Sequence, residues 1–238
     1  MAMNVLERSA NNMKLIYEGK TKDVYDHPNG HIVLKFKDDM TGADGVFDPG
    51  ADTVGLTVEG AGKSGLRMTQ YFFELLNERG YPTHYLKANI NEATMAVKRA
   101  KMLGHGLEVI CRFRAVGSFY RRYALYCEEG QKLDGLVEVT IKDDERGDPP
   151  ISKDALVNLN VLTAKQYDEI KQLTKNISTI VKDELAKKGL ELYDIKLEFG
   201  YDDDGKIMLI DEISAGNMRA YKDNQSISPF ELEKLLFS

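Results

Sequence analysis

Lysines recur at Lys20, Lys22, Lys35 and Lys37, in two alternating apolar segments that flank Asn29-Gly30. Asn-Gly between such runs signals a two-residue hairpin turn. With these two as the central residues, Val24 lies opposite Lys35 and Lys22 opposite Lys37. The two-residue side-chain period then puts all four ammonium groups on one face. Like charges directly opposite each other repel, and an anion between them removes the repulsion. Gly19, within Glu18-Gly19-Lys20-Thr21-Lys22, lets backbone N–H groups approach phosphate oxygens. Lys20, Lys22 and Lys35 then serve as point charges on a triphosphate. The competing reading is an ordinary surface hairpin with solvated lysines.

A second turn signal, Asp204-Gly205, separates apolar segments at residues 190–199 and 206–213. Taken as the turn centre, it sets Glu198 against Asp211 and Lys196 against Ile213. Asp194, Lys196 and Glu198 share one face, joined by Asp211; Tyr193, Ile195, Leu197 and Phe199 form a core face. Facing carboxylates repel and one pKa rises, a penalty that a divalent cation removes. Mg²⁺ suits the place best, since it takes one or two carboxylates plus phosphate oxygens. The alternative is a solvated face in which Lys196 neutralises its neighbours. A cationic hairpin in one half and a carboxylate hairpin in the other make a MgATP cleft.

Other chemistries lack their residues. Gly60-Ala61-Gly62-Lys63-Ser64-Gly65 is glycine-rich without the spacing of a Walker A loop, and no G-x-G-x-x-G opens a βαβ unit. His27 and His31 flank a turn and are too few for a zinc site. There is no G-x-S-x-G elbow and no Cys–His nucleophile pair.

The elements that must position these groups read as follows. Residues 15–25 and 32–37 are the lysine segments, and residues 38–65 are a polar loop. A helix runs over 67–79, where Met68, Tyr71, Phe72, Leu75 and Leu76 recur at helical spacing. Strands are expected at 94–103 and 107–113, and a helix at 118–126. Thr163 and Gln166 make a capping box for a long helix with the stripe Tyr167, Ile170, Leu173, Ile177, Ile180, Val181 and Leu185, ended by Gly189 as C′ residue. Strands early and late with a few long helices indicate an α+β protein with an antiparallel sheet in each half. The expected division is residues 1–98, with the lysine hairpin, and residues 99–238, with the acidic hairpin.

Composition bounds the function. Lys plus Arg number 32 and Asp plus Glu 38, a net charge of −6, so the whole chain has no electrostatic reason to bind nucleic acid. No apolar run reaches the roughly 18–20 residues needed to span a bilayer. Residues 1–12 carry no apolar h-region and read as a short polar extension rather than a signal peptide. Two cysteines are too few for a disulfide framework, and Cys111 reads as a reduced core residue. The expected compartment is the cytoplasm.

Seven collinear stretches resemble the SAICAR synthetase family. They are Leu15-Ile-Tyr-Glu-Gly-Lys-Thr-Lys-Asp-Val-Tyr25, Phe36-Lys-Asp-Asp-Met-Thr-Gly-Ala-Asp-Gly45, Gly80-Tyr-Pro-Thr-His84, Glu108-Val-Ile-Cys-Arg-Phe-Arg-Ala-Val-Gly-Ser118, Lys142-Asp-Asp-Glu-Arg-Gly-Asp-Pro149, Lys196-Leu-Glu-Phe-Gly200 and Asp211-Glu-Ile-Ser214. The resemblance implies a two-part fold with ATP in the cleft between the parts. It also implies a ligase that joins L-aspartate to carboxyaminoimidazole ribotide (CAIR), giving the succinocarboxamide, ADP and phosphate. By position, Lys20 and Lys22 match phosphate-binding lysines, Glu198 and Asp211 match Mg-nucleotide carboxylates, and the backbone at Ala96–Arg99, including Lys98, matches an adenine-binding linker. Arg112, Ser118, Lys196 and Arg219 match residues that hold the ribotide, with Arg112, Lys196 and Arg219 closest to the chemistry. Asp39, Asp44, Lys142 and Asp148 fall in signature loops near the cleft. Small molecules are thus the expected partners, with neither nucleic acid nor membrane; family members often self-associate, so a homo-oligomer is compatible with the resemblance.

The chain departs from the family pattern in places. Ala215-Gly216 stand where Pro-Asp is usual, Ala61–Leu66 replace a Lys-Gly-x-x-Asn-Asn loop, Tyr221-Lys222 replace Trp-Asp, and the sequence stops at Ser238 without the longer helical ending. The alternatives are therefore a same-fold ligase or phosphotransferase acting on a different carboxylate or acceptor, and a non-catalytic nucleotide-binding protein.

Overall fold

The computed structural model describes residues 13–51 and 53–238; the polar extension expected over residues 1–12 lies outside the described residues. Short alternating segments form a five-stranded antiparallel sheet from β1 (Lys14–Glu18), β2 (Lys22–Asp26), β3 (Ile32–Phe36), β7 (Tyr85–Asn89) and β8 (Thr94–Val97), in the order β1-β2-β3-β8-β7. Between β3 and β7 come β4 (Asp39–Ala43), β5 (Val46–Phe47), β6 (Val54–Thr57) and helix α1 (Ala61–Glu78). Strands β4–β6 make a small sheet where the sequence reads as a polar loop. Met40 and Gly42 are the buried residues of β4, so its alternation is hidden by glycine.

The second large sheet has seven strands: β9 (Lys101–Met102), β10 (Leu107–Arg114), β11 (Lys132–Ile141), β12 (Glu191–Tyr201), β13 (Ile207–Ile210), β14 (Met218–Lys222) and β15 (Gln225–Ser226). Its main order is β11-β10-β12-β14-β15, with β13 and β9 also on β12. Helices α2 (Gly117–Tyr123), α3 (Lys153–Asn158), α4 (Ala164–Ala186) and α5 (Pro229–Leu236) complete the fold. One core runs through both sheets. Leu66, Phe72, Phe73 and Leu76 of α1 meet Leu34, Phe36 and Met95, while Ile170, Ile177, Val181 and Leu185 of α4 meet Ile195 and Leu197. The expected α4 stripe is therefore the buried one. Its Thr163–Gln166 capping box is present, and Gly189 (φ +70°) closes a Schellman motif through Gly189 N–H to Ala186 O at 3.0 Å and Leu190 N–H to Leu185 O at 3.1 Å.

Both turn signals make hairpins, but with one more loop residue than expected. His27 N–H bonds His31 O and Gly30 N–H bonds His27 O; Asp202 N–H bonds Lys206 O and Gly205 N–H bonds Asp202 O in the same pattern. Gly30 (φ +89°) and Gly205 (φ +77°) take the left-handed place of a three-residue loop. The register moves by one residue in each. Lys22 lies opposite Phe36, Asp23 opposite Lys35, and Glu198 opposite Ile210. A one-residue shift exchanges faces, so the four lysines do not share one. Lys22 stands over the Phe36 ring at 5.3 Å, while Lys35 is exposed on the opposite face. The segment 15–25 also divides into β1 and β2, which turn at Gly19.

A bulge between Leu192 and Asp194 in the β12–β14 ladder turns Tyr193 out of the expected core face. Tyr193 stacks on Tyr221, with ring centroids 3.6 Å apart.

Candidate active site

Away from its core face, β12 presents Asp194, Lys196 and Glu198. The β10 register adds Glu108 opposite Glu198, Ile110 opposite Lys196 and Arg112 opposite Asp194. Asp211 follows β13 with φ +64°, which takes it out of strand alternation. Its carboxylate thereby returns to the neighbourhood of Glu198, although the ladder partner of Glu198 is Ile210. The expected meeting of the two acids holds, through a backbone twist rather than through register.

Lysines balance the pair. Lys142 Nζ lies 2.7 Å from Glu198 Oε1, and Lys22 Nζ lies 3.0 Å from Asp211 Oδ1 and also bonds Glu212. Burial pushes the Glu198 carboxyl up, and the Asp211 charge adds to the push against Lys142. Burial acts the same way on Asp211, but Lys22 and Lys142 overcome it and hold that carboxyl at about 2. Beneath them His84 is buried, which lowers its pKa to about 4, so the ring is neutral at pH 7. Its Nε2 is 3.2 Å from the Asp211 carbonyl, an acceptor only, so Nε2 carries the proton.

These residues fit Mg²⁺. Two neighbouring carboxylates supply hard oxygens, and among the described residues no group of three or more His, Cys, Asp or Glu is arranged to hold a metal. An ion here has to draw its other ligands from phosphate and water, which is the habit of Mg²⁺.

Next to this cluster is a cavity of about 420 Å³, lined by Arg112, Ser118, Arg121, Lys196, Arg219 and Asp148 among others. Arg112 is only 2% exposed and is bonded through all three of its guanidinium nitrogens. Its Nε and Nη2 bond Glu138, its Nη1 bonds Asp194 at 2.9 Å, and Nη2 also reaches Ser118 Oγ at 3.0 Å. Lys196 Nζ is 2.7 Å from Glu108. Arg219 bonds Asp194 at 2.9 Å and Asp48 at 2.7 Å.

The guanidinium of Arg219 lies between two glycine backbones. A Cβ on Gly117 would come within 2.9 Å of it and one on Gly50 within 2.7 Å. Gly117 also has φ +57°. Gly117→Ala is therefore expected to cost about 1–2 kcal/mol of stability from the left-handed backbone. It should also displace the Arg219 guanidinium, which a Cβ at Gly117 would meet at 2.9 Å, and so lower activity. Thermal unfolding and initial rates check the two effects.

The other sequence candidates are dispersed. Lys20 Nζ is 2.6 Å from Asp144 Oδ2, so the β1–β2 turn reaches across to the loop after β11. The Gly19 N–H bonds Lys22 O, and its carbonyl accepts from Lys37 Nζ at 3.1 Å. Lys98 is exposed just after β8, in the strand-to-strand link between the two large sheets, with its N–H on His84 O at 2.7 Å. Asp39 accepts from Thr57 Oγ1 at 2.6 Å, and Asp44 (φ +52°) is an exposed tip between β4 and β5, outside the cavity. The sequence reading missed Asp48, Glu108, Arg121, Glu138 and Glu212 as members of this neighbourhood. Strand alternation through Glu108, Ile110 and Arg112 is a signal that reveals Glu108; Asp48, in an irregular loop, leaves none.

The model of the SAICAR synthetase family matches residues 15–236. The chain is 64% identical over 225 residues to the phosphoribosylaminoimidazole-succinocarboxamide synthase of Clostridium tetani, covering 94% of this chain and 99% of that protein. It is 37% identical to the Thermotoga maritima protein of the same name, over 88% of this chain and 86% of the relative. A solved SAICAR synthetase in complex with ADP superposes with a TM-score of 0.81 at 30% identity, covering 93% of this chain and 95% of that one.

Proposed function

The chain belongs to the SAICAR synthetase family, and from that premise we propose how its own residues divide the work of an ATP-dependent ligase. The reaction joins L-aspartate to CAIR and yields the succinocarboxamide, ADP and phosphate. A free carboxylate resists amine attack, so a ribotide carboxylate oxygen attacks the γ-phosphorus of ATP and ADP leaves. The aspartate amine then attacks the acyl carbon, the C–O bond to phosphate breaks, and phosphate departs with the amine nitrogen losing a proton. Most of the enzyme's task is placement and stabilisation of phosphoryl charge.

The observation that carries this division is the layout along β12. Glu198 at one end belongs to the carboxylate–lysine cluster with Asp211, Lys22 and Lys142, and Asp194 at the other anchors Arg112 and Arg219. Four residues of strand separate them by about 13 Å, with Lys196 between. A triphosphate at the first end and a ribotide held by its own phosphate at the second meet near Lys196. In this reading Lys20 and Lys22 attend the nucleotide phosphates, and the Gly19 backbone, bonded to Lys22 O and Lys37 Nζ, holds the turn that carries them. Glu198 and Asp211 hold Mg²⁺, which when bound neutralises phosphate charge. Arg219, Ser118 and Lys196 receive the ribotide, and Arg112, buried and bonded through all three guanidinium nitrogens, positions Ser118 and Asp194.

The test is a reaction with MgATP, L-aspartate and CAIR, following ADP and the succinocarboxamide. Product that requires all three substrates is the expected result. ADP release that needs a different carboxylate, or stabilisation by MgATP without turnover, would overturn it.

A further inference from the structure

We propose that Asp48 is a built-in competitor for Arg219, an internal anion that the substrate's phosphate must displace, so that this loop sets how selectively the ribotide is taken up. The inference rests on the ligase reading for the identity of the substrate, and on geometry for the rest.

The Asp48 carboxylate is delivered, not dangling. Its backbone N–H bonds Thr41 O at 3.1 Å, its carbonyl accepts from Thr41 Oγ1 at 2.9 Å and Ala51 N–H at 3.1 Å, and its own Oδ1 accepts from Gly50 N–H at 2.9 Å. That turn, between β5 and β6, extends from the N-terminal part of the chain over the open face of the seven-stranded sheet. Oδ1 there meets Arg219 Nη2 at 2.7 Å. Pro49 and Gly50 line the cavity beside it.

Arg219 does not need Asp48 to stay in place. Asp194 already holds Nη1 at 2.9 Å, and the Gly117 backbone lies against the guanidinium. The two acids differ sharply in what leaving would cost. The side chain of Asp194 is 4% exposed and that of Asp48 is 42% exposed. Removing a carboxylate from Asp194's position strands a buried charge, whereas Asp48 gives up only a partly exposed ion pair and an exposed Gly50 N–H bond, both of which water replaces. Asp48 is thus the exchangeable partner. Arg121, which lines the same cavity and lies within Coulombic reach of Asp48, adds a second guanidinium. Ser118 is three residues before it on α2, so both face the same turn. A dianionic phosphate engages this set with three oxygens, where the Asp48 carboxylate offers one charge. A lone weak anion gains little over the resident carboxylate; a ribotide that also touches Lys196 gains enough to displace it.

The test is calorimetric titration of ribose 5-phosphate, with the nucleotide site filled by MgADP, into the wild type and Asp48→Asn. Loss of the competitor should tighten binding by about three- to tenfold. In turnover, the KM for CAIR should fall by a similar factor while kcat and the KM for ATP stay unchanged. Asp48→Ala should behave alike, and unfolding curves verify that both variants fold. Weaker binding in the variants, a raised KM, or no difference from the wild type, including no measurable binding to any of them, overturns the proposal. A wild type that binds ribose 5-phosphate but makes no succinocarboxamide counts against the ligase reading alone, because the titration still decides the role of Asp48.

Discussion

Glu198→Gln is expected to lower ligase turnover by about 10²–10³-fold, the size of losing one electrostatic group at a phosphoryl centre, while the protein becomes no less stable. The stability half follows from burial. Ionised Glu198 is buried, near a second carboxylate, and its pKa is raised for both reasons. Between the unfolded and folded values the native state binds more protons than the unfolded one, so wild-type stability falls as pH rises through that window, upward from 4.5. Glutamine has nearly the same shape and no charge, so the fall should vanish. Lys142, whose side chain is 45% exposed, stays solvated without its partner. Asp211→Asn gives the contrast. Asparagine tolerates φ +64° as aspartate does, so the backbone is undisturbed. The folded Asp211 pKa of about 2 lies below 3.8, so its contribution to stability is present at neutral pH and fades as pH falls from 3.8 toward 2. Asp211→Asn should therefore lose both turnover and stability at pH 7. Urea unfolding across pH and initial rates at saturating MgATP separate the two. Near-wild-type turnover in both variants sinks the metal-holding role.

The two acids also show what a sequence can and cannot say about such a site. Glu198 and Asp211 were legible because residue type and turn signal brought them to neighbouring strands. The reason for their meeting was not. The Asp204-Gly205 pair accommodates two- and three-residue loops alike, and the loop taken here moves Asp211 out of register. The left-handed backbone at Asp211 then restores the contact. Lys35 had no such rescue: one residue of slip sent it to the exposed face. Local periodicity served best where packing repeats, as along α4, whose stripe and both caps were readable. It served least at β4–β6, where glycine and aspartate hide alternation, and at Asp48. That residue's importance comes from a contact 171 residues distant in the chain. Long-range ion pairs leave no local trace, and Arg112, Lys196 and Arg219 in the cavity wall are each held by them.

Arg112 makes the strongest case of that kind, and Arg112→Met should be the most destabilising single change at the site. The guanidinium is 2% exposed and spans Glu138, Asp194 and Ser118. Methionine fills similar space in the apolar part of the side chain but leaves two carboxylates facing a loss of positive charge. Breaking a buried pair by removing one partner costs about 3–5 kcal/mol. The lower end is expected here, since Arg122 still pairs with Glu138 and Arg219 with Asp194. The effect should be strongly non-additive. With Asp194→Asn added, the second carboxylate charge no longer needs Arg112, and the double variant should be more stable than the sum of the two single changes implies. If Arg112 acts by holding Ser118 and Asp194 rather than by gripping the ribotide, Arg112→Lys should keep part of the stability, because a charge remains, yet lose activity. Lysine has no fork with which to span Glu138, Asp194 and Ser118 together. A double-mutant cycle by chemical denaturation, with KM for CAIR measured on each folded variant, decides the point. Additive losses in stability, or an Arg112→Lys enzyme with wild-type KM, would show that the buried network does not organise the cavity.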